Sequence, residues 1–291
     1  MRNPMLKNIW TYARSAIEEF CRRITVCRRF VRSYAKDNKP RFSASLDGGI
    51  GLYYWDETDN LGDYLSYVVC DHLVRNRIPS DAHGSGVLYA IGSIIGFIRQ
   101  DATVWGSGIL SPDWAYRLYA KFSNLDIRAV RGPNTAKVLR AVGKQVPDVY
   151  GDPAILMPLV YQPQSPEISQ DVSFIPHFSD KTVVPQGVTR IEIQTHDYKA
   201  VIDQIVSSRR VISSSLHGII LAETYGVPAV LLLHDYQNVF KYEDWYLSTG
   251  RRCVFARTFD EAMRMQPLPL PELNTLQKGL LDAFPTDMWK A

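Results

Sequence analysis

Residues 209–234 read RRVISSSLHGIILAETYGVPAVLLLH, and this stretch decides the fold class. Val211 and Ile212 form a short apolar run, three serines interrupt it, and apolar residues then recur at helical spacing. Gly226 and Pro228 end the helical pattern before a second apolar run at 229–233. The stretch therefore predicts a strand, a tight turn, a helix and a second strand, which is the repeating unit of an α/β fold.

The serines at 213–215 lie where the predicted helix needs an N-terminal cap, and His217 lies in its first turn. Serine hydroxyls and unpaired N–H groups at a helix start can also bind an anion, and open α/β sheets usually bind ligands at this edge. A capping role alone would explain the serines, and a structural role would explain the histidine. The functional interpretation is favoured because the same strand, loop and helix pattern recurs elsewhere in the chain.

The composition is that of a globular protein. Its 291 residues are 46% hydrophobic, which is enough for two cores of ordinary size. Four cysteines, at positions 21, 27, 70 and 253, lack the spacing of a metal site, and no apolar segment of signal-peptide length opens the chain. The longest apolar run, residues 87–98, is interrupted by glycines and is shorter than the ~20 residues that span a bilayer. These features predict a cytoplasmic protein without a transmembrane helix.

Positive charge is concentrated near the N-terminus. Residues 1–41 contain 11 Lys and Arg against 3 Asp and Glu, a net charge of +8, while the remainder carries −5. Apolar residues recur in this segment at roughly helical spacing with arginines between them, which predicts one basic amphipathic helix. Such a helix suits an anionic membrane surface. It can equally lie on the globular body, and the sequence leaves both interpretations open.

Polar or small residues follow three predicted strands in the first half of the chain. They are Asn60, Gly62 and Asp63 after the first strand, Gly106 and Ser107 after a later one, and Arg131 after a third. Asn60 can cap a helix, Gly62 allows close approach of a bound group, and Asp63 can act as a base. Arg131 can pair with a carboxylate or phosphate of a ligand, or with a surface acid. Neither GxGxxG nor a Walker sequence is present, so any phosphate site here has a looser form.

Residues 162–170, rich in proline and polar side chains, mark the best boundary between two α/β units. We predict a basic helix at 1–41, a first α/β domain at 42–165 and a second at 166–291. The second domain contains a strand that ends before His177, the stretch 209–234 and a closing helix at 272–283. The helix starts of the two domains are expected to face one cleft.

Four short motifs follow one another along the chain. They read NLGD at 60–63, VRG at 130–132, GDPA at 151–154 and SLHG at 215–218, the last followed by Ala222 and by GVP at 226–228. Together they resemble the polysaccharide pyruvyl transferase family. The resemblance implies two Rossmann-like domains facing one cleft, of the glycosyltransferase-B type. It also implies transfer of a pyruvyl group from phosphoenolpyruvate to a sugar, giving a pyruvate ketal, with no metal ion and no further cofactor.

The resemblance carries over to Arg131 as a ligand of the donor anion and to His217 as donor ligand or acid, and we add Asp63 as a second catalytic residue. The remaining predicted donor-binding residues are Ser214, Ser215, Gly218, Asn60 and Gly62, and the predicted acceptor-binding residues are His177, Gly106 and Ser107. The chain departs from the family at Ser215, because many members have arginine two positions before the motif histidine. The anion site would then rely on the serines, the helix start and a lysine or arginine from elsewhere.

The expected partners are phosphoenolpyruvate, a glycan of an exopolysaccharide or a lipid-linked oligosaccharide, and an anionic membrane surface contacted by residues 1–41 on its cytoplasmic face. No nucleic-acid partner is expected. Two other functions stay open at this point. One is a nucleotide-sugar-dependent glycosyltransferase of the same fold, and the other is a non-catalytic glycan-binding relative.

Overall fold

The structure, a computed structural model, describes residues 42–98, 100–114, 124–164 and 167–290. The predicted amphipathic helix at 1–41 lies outside these described residues. Within them, two five-stranded sheets form the framework, and residues 41–291 make one compact unit.

The first sheet has four parallel strands and one antiparallel edge strand, in the order β1-β2-β4-β5-β6. The strands of this half are β1 (Ala44–Ser45), β2 (Gly51–Tyr53), β3 (His83–Gly84), β4 (Val87–Tyr89), β5 (Ala102–Trp105) and β6 (Leu125–Ala129). Its helices are α1 (Leu61–Arg77), α2 (Pro133–Ala141) and the short α3 (Met157–Val160). Every residue of β2, β4 and β5 is buried, as expected for parallel strands that are covered on both faces.

The second sheet is parallel throughout, in the order β11-β10-β9-β7-β8. Its strands are β7 (Gln170–Ile175), β8 (Thr189–Arg190), β9 (Ser208–Ser213), β10 (Ala229–Leu232) and β11 (Phe255–Ala256). The helices that follow these strands are α4 (Tyr198–Val206), α5 (Leu216–Thr224), α6 (Phe240–Ser248) and α7 (Phe259–Arg264). A backbone hydrogen bond of 2.8 Å from Leu61 N–H to the Ile193 carbonyl joins the start of α1 to this half.

The strand, turn, helix and strand predicted for residues 209–234 are present as β9, α5 and β10. Ser215 is the N-cap residue of α5, and its hydroxyl accepts a hydrogen bond from the Gly218 N–H. The first eight of the nine residues of α5 are buried, so this helix is enclosed on all sides rather than lying on the surface. The start of α5 is consequently fixed in position by both the sheet and the surrounding helices.

The chain returns to the first sheet at its C-terminal end. Helix α8 (Asn274–Asp282) forms at the predicted closing helix, and strand β12 (Trp289–Lys290) pairs with β3. The Trp105 indole N–H donates to the Leu280 carbonyl at 2.8 Å, and the Gln277 amide donates to the Ile155 carbonyl at 2.8 Å. The closing helix therefore packs on the half that contains the first sheet, whereas the sequence placed it in the second domain.

The α/β class with parallel sheets is confirmed. The finer prediction of two Rossmann-like domains of the glycosyltransferase-B type stays a prediction, as do the boundaries at 42–165 and 166–291. Within the described ranges, no helix combines the length and the apolar character that crossing a membrane requires.

Candidate active site

A cavity of about 210 Å³ lies where the carboxyl ends of strands from both sheets meet. Loops after β2, β4, β5, β7 and β9, and the first turns of α1, α5 and α6, supply its lining. The lining residues are Trp55, Asn60, Asp63, Ser93, Ile94, Phe97, Leu110, His177, Phe178, Ser215, Leu216, His217 and Lys241. This is the edge at which open α/β sheets usually bind ligands.

His217 lies in the first turn of α5, is 9% exposed and faces the start of α1. A Cβ atom at position 62 would lie 1.8 Å from His217 Nδ1, so only glycine at this position leaves room for the imidazole. The Gly62 N–H itself donates to the Asn60 side chain, which caps α1. The group that approaches Gly62 closely is therefore the His217 imidazole, and the predicted contact of Gly62 with a bound donor stays a prediction.

Asp152 stands behind His217. Its Oδ2 lies 3.7 Å from His217 Nε2, and both atoms are buried without a hydrogen-bond partner among the described residues. Its Oδ1 accepts from the Ala154 N–H at 3.1 Å, which holds the carboxylate in place. A small approach would let Nε2–H donate to Oδ2, and this would leave Nδ1 as the ring nitrogen for a substrate. Asp152 is therefore placed to orient His217.

Asp63 is a buried carboxylate on the first turn of α1. Its Oδ2 accepts a hydrogen bond of 2.6 Å from the Asn60 amide. Its Oδ1 lies against Gly92, which has a φ of 109° and where a Cβ would come within 2.7 Å. Both a close approach and a left-handed backbone therefore require glycine at position 92. The result is a carboxylate held at the cavity by its neighbours.

The pKa of Asp63 is raised from its ordinary value of 3.8 to about 6. Burial is the main cause, and Asp152 adds to it, while His217, Lys241 and the Asn60 hydrogen bond act in the opposite direction. A carboxylate with this pKa is a stronger base than an ordinary aspartate and is still ionised at neutral pH. Both properties suit the general base that the sequence predicted.

We expect the activity to fall below pH about 6 because Asp63 is then protonated. Asp63→Asn should abolish this acidic limb and lower the rate.

The same raised pKa means that an ionised Asp63 destabilises the fold, so its contribution to stability is present below pH about 4 and is lost as the pH rises through about 6. The stability of Asp63→Asn relative to the wild type should therefore be higher at neutral pH than at pH about 4. Thermal unfolding and pH–rate profiles measure both, and a profile that is unchanged in the variant would exclude Asp63 as the base.

Lys241 is a cavity cation that the sequence did not single out. It lies at the start of α6, is half-buried, and its Nζ is 4.9 Å from the centroid of the neighbouring Tyr242 ring. Its pKa is lowered to about 8, mainly by burial and also by the nearby Arg131, while Asp63 acts in the opposite direction. It is the only lysine or arginine among the lining residues of the described chain. Lys241 is therefore the side chain that can supply the missing cation of the anion site.

His177 lines the cavity as predicted, at the end of β7. Burial is the main reason that its pKa falls to about 3, and the charges of Lys241 and His217 add to the effect. The imidazole is consequently neutral at physiological pH, and its Nδ1 shares a hydrogen bond of 2.8 Å with the Ser179 hydroxyl. A neutral histidine can hydrogen-bond to a hydroxyl group of an acceptor without adding charge to the cavity.

The serines before α5 divide into two roles. Ser214 is fully buried; its hydroxyl accepts from the His177 N–H and donates to the buried carboxylate of Asp180. Ser215 lines the cavity, and its hydroxyl accepts a long hydrogen bond of 3.5 Å from the Gly218 N–H. The N–H groups of the first two residues of α5 have no partner among the described residues, as is usual for a helix start, and they remain open to an anion.

Arg131 does not line the cavity. Its side chain is 0% exposed, and its Nη2 is 3.1 Å from Asp244 Oδ2. Its other Nη group donates to the Ser93 hydroxyl at 2.7 Å, and Ser93 is a lining residue. Ser93 therefore separates Arg131 from the cavity. The structure places Arg131 in an internal ion pair with Asp244, whereas the sequence predicted a contact with the donor.

Gly106 and Ser107, predicted as acceptor ligands, also lie away from the lining. Gly106 faces Pro153, and the Ser107 hydroxyl donates to the Gly92 carbonyl at 2.9 Å. Of the predicted site residues, the cavity brings together Asn60, Asp63, His177, Ser215 and His217. In the described part of the chain, no three His, Cys, Asp or Glu side chains are grouped so that they could hold a metal ion.

Two known proteins are similar to about two thirds of this chain. An uncharacterized protein, L143, of Acanthamoeba polyphaga mimivirus is 28% identical over 200 residues, which is 64% of this chain and 68% of that protein. The succinoglycan biosynthesis protein ExoV of Rhizobium meliloti (strain 1021) is 28% identical over 214 residues, which is 68% of this chain and 64% of ExoV. The chain thus matches somewhat less than two thirds of ExoV.

A family model provides the broader comparison. Residues 48–236, more than half of the chain, match the model described as polysaccharide pyruvyl transferase. The matched residues run from before β2 to just beyond β10, so they include His217, Asp152 and Asp63. The chain therefore belongs to the polysaccharide pyruvyl transferase family.

Proposed function

We propose that the protein transfers a pyruvyl group from phosphoenolpyruvate to a pair of hydroxyls on a sugar of an exopolysaccharide or a lipid-linked oligosaccharide, forming a pyruvate ketal. One observation carries the proposal: His217, with Asp152 behind it, lines the same cavity as Asp63 and Lys241. An acid, a base and a cation at a helix start are the groups that an enol phosphate donor requires. Family membership supports the reaction, and similarity to a protein named for succinoglycan biosynthesis supports a glycan acceptor.

The proposed reaction converts phosphoenolpyruvate and a diol to a ketal and phosphate. A proton added to the methylene carbon forms a methyl group and leaves an oxocarbenium-like centre on the adjacent carbon. One hydroxyl oxygen bonds to that carbon, the bond from carbon to the phosphate oxygen breaks, and the second hydroxyl oxygen takes its place. One of the two hydroxyl protons balances the new methyl hydrogen, and the other leaves with the phosphate.

Each step has a candidate residue. In this proposal His217 acts in its doubly protonated form, in which Nε2–H donates to Asp152 and Nδ1–H delivers the proton to the methylene carbon. Asp63, as a carboxylate, takes the proton of the attacking hydroxyl. Lys241 and the free N–H groups of α5 bind the carboxylate and phosphate of the donor. We further propose that the two sheets form the two Rossmann-like domains of a glycosyltransferase-B arrangement around this cleft.

Phosphate release tests the proposed function directly. The full chain is incubated with phosphoenolpyruvate and a panel of neutral glycans and lipid-linked oligosaccharides, and both phosphate and the methyl signal of the ketal are followed. Acceptor-dependent phosphate release with equal formation of ketal is the expected result. Phosphate release without a ketal, or transfer from a nucleotide sugar in place of phosphoenolpyruvate, would overturn the proposal.

Lys241→Met should raise the KM for phosphoenolpyruvate by tenfold or more, because a charge-assisted hydrogen bond contributes roughly 1.5–3 kcal/mol. The KM for the acceptor should change little. In the wild type, donor affinity should also fall above pH about 8, where Lys241 loses its charge. Lys278→Met is the matched control, since Lys278 forms only an exposed pair with Asp282 on α8. An unchanged donor KM in Lys241→Met would remove Lys241 from the donor site.

We also propose that residues 1–41 attach the protein to the cytoplasmic face of an anionic membrane. The excess of eight positive charges over a net −5 remainder favours anionic lipid, with each basic residue near the surface contributing about 1 kcal/mol. Vesicle co-sedimentation should show salt-sensitive binding of the full chain to anionic vesicles and none for a chain that starts at Phe42. Equal binding of both chains would exclude this role.

A further inference from the structure

Aromatic side chains form one wall of the cavity. Trp55 and Phe97 line it side by side, and we call these two residues the aromatic wall. The ring centroids of Trp55 and Phe97 are 5.4 Å apart, with the planes tilted by 48°. Tyr53, which is buried in the first sheet, lies behind Phe97 at 6.4 Å. The wall is therefore supported from the core and has a fixed position relative to the cavity.

The aromatic wall lies at the edge of the buried core, because Phe97 packs against the buried cluster that contains Tyr53 and Val104. Trp55 and Phe97 are themselves half-buried, whereas Tyr53 is buried. Within the described residues, no hydrogen bond occupies the Trp55 indole N–H. Aromatic surface with a polar edge, left open to a cavity, is the usual lining of a site for a ligand that has both an apolar face and hydrogen-bonding groups.

A pyranose ring is such a ligand, because its C–H bonds form an apolar face and its hydroxyl groups project around the rim. A ring packed on the aromatic wall would point its rim toward Asp63, His177 and His217, which line the same cavity. The charges of the lining restrict the sugar further. Lys241 is its only lysine or arginine among the described residues and is assigned to the donor, while the Asp63 carboxylate would repel an anionic sugar.

We propose that the aromatic wall is the acceptor subsite, and that it takes a neutral hexopyranose rather than a uronic acid. This inference rests on the proposed function for the word acceptor, but the sugar-binding surface itself does not depend on turnover. It adds Trp55 and Phe97 to the acceptor side of the site, where the sequence had placed only His177, Gly106 and Ser107. The wall would hold the ring, and Asp63 would receive the hydroxyl that reacts.

Saturation-transfer difference NMR on the full chain tests the binding surface without requiring catalysis. The probes are neutral methyl hexopyranosides, methyl glucuronopyranoside and uridine. Saturation of the C–H protons of the neutral sugars is expected in the wild type and is expected to be lost in Trp55→Ala. Phe42→Ala is the control, because Phe42 is an aromatic residue with an exposed side chain outside the cavity lining. Stronger saturation of uridine or of the glucuronoside would overturn the proposal.

Steady-state kinetics provide the second readout. Trp55→Ala should raise the acceptor KM about tenfold and leave the KM for phosphoenolpyruvate unchanged, because the stacking energy of an aromatic face corresponds to about that factor. Trp55→Phe, which keeps an aromatic face, should recover most of the acceptor affinity, and circular dichroism checks that both variants fold. If ketal forms but the acceptor KM is the same in Trp55→Ala and the wild type, the subsite is wrong and the proposed function stands. If no ketal forms but Trp55-dependent binding of neutral sugars is seen, the proposed function is wrong and the sugar-binding surface stands.

Discussion

Replacing His217 with alanine is expected to lower kcat by about a thousandfold while the protein stays folded. The imidazole is the cavity group best placed to deliver a proton, since its Nε2 faces Asp152 at 3.7 Å and its ring is held against Gly62. Removing it also leaves the buried Asp152 carboxylate without the imidazole that faces it at 3.7 Å. The loss should therefore appear in kcat, with a small effect on the KM for phosphoenolpyruvate, and steady-state kinetics separate the two.

Two further variants make this result specific. Gly62→Ala keeps the histidine but puts a Cβ where the imidazole now lies, so it should also lower kcat. His83→Ala is the matched control, because His83 is an exposed residue on β3 outside the cavity lining. Circular dichroism and thermal unfolding confirm that the variants are folded. If folded His217→Ala retains most of the wild-type kcat, His217 does not deliver the proton.

The residues around His217 could be predicted because their signals are local. A run of apolar residues, a polar break and a helical pattern place Ser215 and His217 at the start of α5, and the same logic places Asn60 and Asp63 at the start of α1. Parallel strands bring such helix starts to one edge of each sheet. The convergence of the two edges on one cavity follows from the four family motifs taken together rather than from any one of them.

Lys241 could not be predicted, because nothing in the segment FKYEDWYLS distinguishes it from a lysine on a solvated helix. Its approach to the cavity depends on contacts made by its neighbours on α6. The Tyr242 hydroxyl donates to the Ser214 carbonyl at 2.7 Å, and the Asp244 carboxylate accepts from the Thr135 N–H at 2.9 Å. Thr135 lies 109 residues earlier in the chain, a distance at which periodicity gives no information.

Arg131 shows the opposite case. Its sequence context, a strand end before a helix, is the same as that of the residues that do reach the cavity. Its role depends on Asp244, whose carboxylate forms a buried ion pair with the Arg131 guanidinium. Both possibilities, a ligand anion and a carboxylate of the protein, satisfy an arginine equally well in chemical terms, so the choice depends on tertiary contacts alone.

The Asp244 carboxylate interacts with three buried groups of two residues, Thr135 and Arg131, and so connects α6 to the first half of the chain. Its carboxylate accepts from the Thr135 N–H and hydroxyl at the start of α2 and pairs with Arg131 at 3.1 Å, with both side chains of the ion pair 0% exposed. Gly132 is required beside it, because a Cβ there would lie 2.0 Å from the Asp244 carbonyl oxygen. The aspartate is thus a cap for α2, the counter-ion of Arg131 and an anchor for the helix that carries Lys241.

Asp244→Ala is expected to lower the free energy of unfolding by about 3–5 kcal/mol, because it leaves the Arg131 charge buried without a counter-ion. Chemical unfolding followed by circular dichroism measures the change. Asp171→Ala is the matched control, since its pair with Arg209 is exposed and should contribute about 0–1 kcal/mol. The double variant Arg131→Met, Asp244→Leu should lose less stability than the two single changes added together, because it removes both charges at once.

Because α6 carries Lys241, any Asp244→Ala protein that remains folded should also bind phosphoenolpyruvate more weakly. If Asp244→Ala is as stable as Asp171→Ala, the Arg131 charge has another partner. A direct role of Arg131 in donor binding would then be the better explanation of its place in the VRG motif.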